Sequence, residues 1–405
     1  MRRWNLSHFA ISGYVSAALL AGCGGSQPPI SAPGAIPLMP APSARTSSTN
    51  YRVLYSFGVT PDGNYPHSNL IGTGGTFYGT SFAGGAYYCG SSSCGTVFSI
   101  TTGGAEKVLH SFGNGTDGFF PFAGLASVDG MLYGTTGNGG VYNAGTGGTV
   151  FSVTTGGTEK VLHSFSGGTD GSGPTADLIN AKGTLYGTTD AGGAYNVGTV
   201  FSITTGGAEK VLYSFAGGTD GAIPQAGLID VGGKLYGTTF TGGAHNHGTV
   251  FTITTGGKEK VLHRFGKGPD GNQPEAGLTD VRGTLYGTTL AGGTENGGTV
   301  FSVTTGGTEK VLHSFIGGTD GHSPAARLIN VKGTLYGTTV SGGTENDGTV
   351  FSITTGGIEN VLHTFGKGTD GAQPLTGMTF RGGSLVGTTY LGGVEGIGTV
   401  FSLTP

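Results

Sequence analysis

The sequence predicts an all-β fold: a seven-bladed β-propeller of ~50-residue four-stranded repeats, closed by pairing the N-terminal strand with the last blade. Three observations predict it. Gly-Thr-Val-Phe recurs from Gly95, Gly148, Gly198, Gly248, Gly298, Gly348 and Gly398. A second phrase, Val-Leu-His/Tyr-Ser/Arg/Thr-Phe, starts at Val53, Val108, Val161, Val211, Val261, Val311 and Val361, with spacings of 55, 53, 50, 50, 50 and 50 residues. The ends are offset: the repeat region opens on a lone outer strand and closes on a blade that lacks one. Pairing the two leaves no loose edge, and an open solenoid would not need the offset.

Residues 176–215 show the parsing. Ala176 to Asn180 is strand a, and Ala181-Lys182-Gly183 is a turn. Thr184 to Thr189 is strand b, and a Gly-rich loop runs from Asp190 to Val197. Gly198 to Thr204 is strand c, Thr205-Gly206-Gly207 a turn, and Glu209 to Phe215 strand d. Val, Ile, Phe, Tyr and Thr fill the strands and Gly pairs punctuate them. Adjacent apolar residues, as in Val200-Phe201, suit strands covered on both faces by stacked blades. The opening strand is Val53 to Phe57, and the closing one Gly398 to Leu403.

Composition narrows the function classes. Gly (87) and Pro (16) make up about a quarter of the 405 residues, without a Gly-X-Y run, which excludes collagen. Charged residues are 10% and aromatics 10%, which argues against disorder. A net charge of −4 argues against a nucleic-acid partner.

The first fifty residues read as an address. Arg2 and Arg3 precede an apolar stretch from Phe9 to Ala21, too short to span a bilayer as a mature helix. It ends in Leu20-Ala21-Gly22-Cys23, which resembles the lipobox of bacterial lipoproteins. The resemblance implies cleavage of 1–22, lipidation of Cys23 and export to a lipid-anchored place on a bacterial membrane, the outer membrane or cell surface. Cleavage would take the net charge to −6 and remove Trp4, the sole Trp. Residues 23–50 then form the lipidated Cys and a flexible Gly/Ser/Pro/Ala tether, and 51–405 the propeller.

The ordered set Gly-Thr-Val-Phe, Val-Leu-His-Ser-Phe, Gly-Thr-Asp-Gly and Leu-Tyr-Gly-Thr-Thr resembles the bacterial GloVer tandem repeats, found in proteins with interchangeable surface anchors. The resemblance covers about 51–405 and implies a repeat domain displayed at the cell surface, with no established catalytic residues. The Gly doublets after strand b are similar to kelch repeats, without the kelch Trp.

Most repeated residues read as scaffold. Asp62, Asp117, Asp170, Asp220, Asp270, Asp320 and Asp370 each precede Gly, with Pro four residues on. A ring of metal ligands would explain the Asp alone; a turn explains all three residue types. His110, His163, His263, His313 and His363 share their strand d position with Tyr55 and Tyr213. They lie on different blades and are not expected to converge on one ion, so no metal and no cofactor are expected. The Tyr of strand b becomes Val386 in the last copy, as a core position would allow. Glu106, Glu159, Glu209, Glu259, Glu309 and Glu359 open strand d and read as a solvated rim.

The copies differ in the b–c and d–a loops, which share one face, whereas the c–d turns stay close to Thr-Thr-Gly-Gly. Variable loops on a repeat scaffold are where binding is expected. The candidate contacts are Tyr87, Tyr88, Phe119, Phe120, Phe122, Tyr142, Asn143, Tyr195, Asn196, His245 and His247, types that suit a polar ligand with a stacking face. Cys89 and Cys94, in the longest insertion, are expected to form a disulfide in an oxidising compartment. Asp190, Glu275 and Glu345 are unique acids without a nameable partner. The sequence contains no nucleophile elbow, phosphate loop or HExxH motif. The reading is therefore a monomeric, surface-anchored, non-catalytic binding module for a glycan or protein. The alternative is a propeller hydrolase or lyase acting on extracellular polysaccharide.

Overall fold

The computed structural model describes residues 50–405, apart from 60, 143–146, 267 and 367. The leader, Cys23 and the tether lie outside the described residues. Seven four-stranded antiparallel blades form a closed β-propeller. Blade 3 has Ile179–Ala181 as strand a, Thr184–Thr189 as b, Thr199–Thr204 as c and Glu209–Ser214 as d. Blades 1, 2, 4, 5 and 6 repeat this order over 71–111, 126–164, 229–264, 279–314 and 329–364. Strand a is shorter than the sequence suggests: only Ile179–Ala181 pairs with strand b, and Ala176 to Leu178 precede the ladder. The a strands of neighbouring blades approach one another and are innermost. Among the described residues the helices are 3-10 turns only.

Closure follows the offset in the sequence. Asn50–Ser56 pairs antiparallel with Thr399–Thr404 as the outer strand of blade 7. Behind it, Phe57 and Val400 pack with Phe77, Phe98 and Ile100 of blade 1.

Each repeated phrase has a packing reason. Strand c places Val200, Phe201 and Ile203 in the core with no exposure. A bulge between Val200 and Phe201 lets adjacent apolar residues serve both faces. Gly187 of strand b pairs with Phe201, and a Cβ there would stand 2.6 Å from the Phe ring, so Leu-Tyr-Gly needs its Gly. The buried Thr189 and Thr199 hydroxyls lie 2.8 Å apart and lock b to c. In the c–d turn, Ala208 N donates to Thr204 Oγ1 at 3.0 Å. A Cβ on Gly207 would stand 2.7 Å from the Leu162 carbonyl of the preceding blade. That close approach, as much as the turn itself, explains the near-constant Thr-Thr-Gly-Gly. The strand b Tyr is core, with Tyr186, Tyr236 and Val386 all buried.

Blades meet through one aromatic contact. The Phe that follows strand d sits edge-on to the Phe of strand c in the next blade at all seven interfaces, at 5.0–5.3 Å between centroids. Phe57–Phe98 is the closing member of this series. Truncating a buried Phe removes its transfer energy and leaves a cavity, at a cost of about 3–5 kcal/mol. Phe57→Ala is therefore expected to lower the Tm as much as Phe215→Ala, although Phe57 lies near the first of the described residues. Deleting 50–57 should destabilise all seven blades, and grafting that segment after Pro405 should restore them. An unchanged Tm for Phe57→Ala would exclude closure by this strand.

Candidate functional site

Seven segments of the chain converge at the axis three residues after the repeated Pro. The residues there are Asn69, Gly124, Asp177, Gly227, Gly277, Arg327 and Gly377. Crowding explains the glycines: a Cβ on Gly124 would stand 2.8 Å from the Asn69 carbonyl, and one on Gly377 2.7 Å from Asn69 Oδ1. The other three copies carry polar groups and make the floor asymmetric. Asn69 Nδ2 donates to Asp177 Oδ2 at 2.5 Å, and Gly124 N donates to Asp177 Oδ1 at 2.5 Å. Arg327 Nε donates to Thr279 Oγ1 at 3.4 Å. Burial pulls the Arg327 guanidinium below its ordinary value, and Asp177 opposes that shift.

Above this floor, the d–a and b–c loops build a mouth with two unlike sides. One side is aromatic. Phe82 packs with Phe120 at 4.7 Å and Phe122 at 5.0 Å, and His67 meets Phe122 and Tyr390 edge-on. Tyr390 in turn meets Tyr65 at 5.0 Å. Burial lowers the His67 pKa and favours a neutral ring, whose Nδ1 lies 3.2 Å from the Phe122 carbonyl. Tyr65, Phe120 and Ile223 hold positive φ of 56–58° just before their Pro, a costly backbone for such side chains.

The other side is polar and centred on blade 3. Gly173 occupies the position of Phe120 and Ile223, and the Asp190 carboxylate fills the space its missing side chain leaves. Burial pushes Asp190 up to about 7, and its Oδ1 has no hydrogen-bond partner. Asn69 Oδ1 and Thr175 Oγ1 are likewise buried and unpartnered. Burial also raises Glu275, on the blade 5 loop, to about 7. Buried polar atoms without partners are costly, and Asp190 Oδ1, Asn69 Oδ1 and Thr175 Oγ1 are three such atoms near the axis.

The structure brings together only some of the residues expected to bind. Phe120 and Phe122 line the mouth. Phe119 meets Phe120 edge-on and packs beside the Cys89–Cys94 pair, so these Phe are half-buried wall rather than loop tips. Cys89 and Cys94 are bonded at 2.09 Å. Tyr87 and Tyr88 share one loop and Tyr142 and Tyr195 lie on two others; all four are exposed, and among the described residues they make no ring contact with one another. Asn143 lies outside the described residues. Asn196 holds its own loop, accepting from Gly192 N at φ 59°, as Asn246, Asn296 and Asn346 do in theirs. His247 Nδ1 lies 2.5 Å from the Gly266 carbonyl, and the His245 ring is 6.1 Å from His247. Asn69, Asp177 and Arg327 are missing from the sequence reading. Their signal is present, since one inner position is Gly in four copies and polar in three.

The repeated acids and His also need correction. The Asp carboxylates do close the turns: Asp62, Asp270 and Asp370 accept from the following Gly N at 2.7–2.8 Å. They have a second function at the blade interfaces. His110 Nε2 lies 2.9 Å from Asp117, and four further pairs in the series lie at 3.0–3.3 Å. The Glu opening strand d of the next blade reaches the same place, so it is not a solvated rim. Burial, then the neighbouring Asp, pushes Glu106 and Glu209 up to about 7. Their Oε1 atoms, like those of Glu159, Glu259, Glu309 and Glu359, are buried without a hydrogen-bond partner. The His indeed do not meet one another, but His110, His163, His263 and His313 each gather acids from two blades, while His363 meets Asp370 and the ring of Tyr51.

The sequence profile described as the Gloeobacter/Verrucomicrobia repeat matches residues 86–282 and 241–405. No curated protein matches the sequence. Among solved structures, a candidate 6-phosphogluconolactonase from Bacteroides uniformis aligns over 74% of this chain and 86% of its own, at 15% identity and a TM-score of 0.50. A gluconolactonase from Xanthomonas campestris aligns over 63% and 78%, at 16% identity and a TM-score of 0.39. The first likeness is one of fold, and it agrees with a propeller.

The interface acids make stability depend on pH. The Glu209 carboxyl holds its proton up to about pH 7 in the folded chain, against about 4.5 when unfolded. Its favourable contribution is complete below about 4.5 and is lost as pH rises through about 7. With chelator present, Glu209→Gln should raise the Tm at pH 8 by about 1–3 °C and leave it unchanged at pH 4. Thermal melts at the two pH values check this; a loss of stability at pH 8 would contradict it.

Proposed function

The chain belongs to the Gloeobacter/Verrucomicrobia repeat family, and from that premise we propose that it is a lipid-anchored, exported propeller that binds a glycan at the axial mouth of its variable face. The two-sided mouth supports this reading. Sugars present apolar ring faces and rows of hydroxyl donors. Phe82, Phe120, Phe122 and Tyr390 offer surfaces for the former, while Asn69 Oδ1, Thr175 Oγ1 and Asp190 Oδ1 offer buried acceptors for the latter. Tyr88, Tyr142 and Tyr195 would touch the outlying units of a longer chain. Lipid on Cys23 and the tether 24–50 would hold the domain off the membrane, stable anchoring needing more than one acyl chain.

One observation favours a second reading, a hydrolase acting on extracellular polysaccharide. Asp190 and Glu275 are both held near pH 7 at the mouth, where a carboxyl can donate a proton.

A glycan-binding screen with the full chain, scored for both retention and cleavage, separates the two. The binding reading expects retention without product, weakened roughly 3–10-fold by Phe122→Ala and about 10-fold or more by Asp190→Ala. Loss of binding from changes in the opposite Thr-Thr-Gly-Gly turns alone, in folded protein, would refute the mouth as the site. Product formation that Asp190→Asn and Glu275→Gln abolish would favour the hydrolase. For the anchor, Cys23→Ala should abolish incorporation of labelled fatty acid and release the protein from membranes; a variant still labelled and sedimenting with membranes would refute lipidation there.

A further inference from the structure

We propose that four of the seven blade interfaces are divalent-cation sites of the zinc class, each formed by a His and an Asp leaving one blade and the Glu that opens strand d of the next. The sets are His110, Asp117 and Glu159; His163, Asp170 and Glu209; His263, Asp270 and Glu309; and His313, Asp320 and Glu359. In each, one ligand atom from every residue lies within 4.8 Å of the other two. The His Nε2 and Asp oxygen are 2.9–3.3 Å apart. Ligands around one tetrahedral zinc stand roughly 3.3–3.5 Å apart, so a small swing of the Glu carboxylate closes the set. Imidazole with two carboxylates is a donor set for zinc or a neighbouring transition ion rather than for calcium or magnesium.

Two further observations point to a ligand. All four Glu place a buried Oε1 beside the Asp with no hydrogen-bond partner, and the buried Nε2 atoms of His163 and His263, 3.3 Å from an Asp oxygen, make no well-formed hydrogen bond. Two carboxylates held together at an interface repel unless a cation or a proton sits between them. The remaining three interfaces are built differently and explain why no such set forms there. At two of them Tyr replaces His, and its hydroxyl donates directly to the Asp: Tyr55 to Asp62 at 2.8 Å and Tyr213 to Asp220 at 2.9 Å. At the third, between blades 6 and 7, Tyr51 replaces Glu and stacks on His363 at 3.8 Å. Each departure puts a neutral phenol where a His or Glu ligand would stand, so no three-ligand set forms, although Glu106 Oε1, Glu259 Oε1 and the Tyr51 hydroxyl stay buried without a hydrogen-bond partner.

The arrangement also separates these sites from the axial mouth, so the glycan reading can fail without affecting this one. Each ion would join two blades, so binding is expected to stabilise the ring and not to alter the mouth.

The test is zinc titration of the chelator-treated full chain by calorimetry, with the neighbouring loop imidazoles removed by His245→Ala and His247→Ala. Four zinc ions per chain and a rise in Tm are expected. Glu159→Gln, Glu209→Gln, Glu309→Gln and Glu359→Gln together should abolish both. Because that fourfold variant also changes interface packing, Tyr213→His is the second arm: beside Asp220 and Glu259 it should raise the stoichiometry from four to five. No saturable zinc binding, or a stoichiometry that neither the Glu changes nor Tyr213→His moves, would overturn the proposal and leave the interfaces as proton-sharing networks.

Discussion

An edge-to-face pair of phenylalanines, repeated at every blade interface, is the contact on which the rest of the molecule depends. One ring closes strand d, the other lies in strand c of the next blade, and the 5.0–5.3 Å spacing hardly changes around the circle. The contact fixes how far each blade is turned from its neighbour, and so how many blades fit. It also dictates residues at a distance: Gly187 is glycine because Phe201 lies across it, and Gly207 because the preceding blade's backbone comes so near. With 10% charged residues, the chain rests on this packing and on buried Thr–Thr hydrogen bonds rather than on surface ion pairs.

Closing seven like units brings seven segments of the chain to one axis. There is room for little more than backbone, and four copies have glycine. Asn69, Asp177 and Arg327 fit only because those glycines make space, and together they break a symmetry that the scaffold otherwise keeps. The same logic operates higher in the mouth, where Gly173 gives up its side chain and Asp190 takes the vacated volume. Binding one asymmetric ligand on a symmetric ring requires such departures, since identical groups spaced around an axis cannot each meet a different part of it. The strained φ of Tyr65, Phe120 and Ile223 belongs to the same rim.

The blade interfaces have a polar outer margin as well as an apolar core. The carboxylate that closes each d–a turn also faces the neighbouring blade, so turn formation and blade docking share one group. Where His becomes Tyr the hydroxyl bonds the Asp directly, and where Glu becomes Tyr51 the ring stacks on His363. Copy-to-copy variation here records alternative solutions to one local problem, namely how to bury an acid beside an acid.

Periodicity alone was enough to read the architecture. Phrases at a fixed spacing, apolar doublets and offset ends specify four-stranded units, covered faces and a strand that must return to the last blade. These are properties of each repeat and its immediate neighbour, and a one-dimensional pattern records them. Phe120 and Phe122 were legible as binding candidates because they interrupt that pattern, and Cys89 and Cys94 because of their place in an insertion. Asn69, Asp177, Arg327 and the His–Asp–Glu sets were not legible. The three axial residues are more than a hundred positions apart, and only closure puts them on one floor. Each Glu stands about forty residues from the Asp it meets, at a distance set by blade twist and face packing. The sequence determined what each blade is made of; the curvature of the ring decided which side chains from different blades share a space.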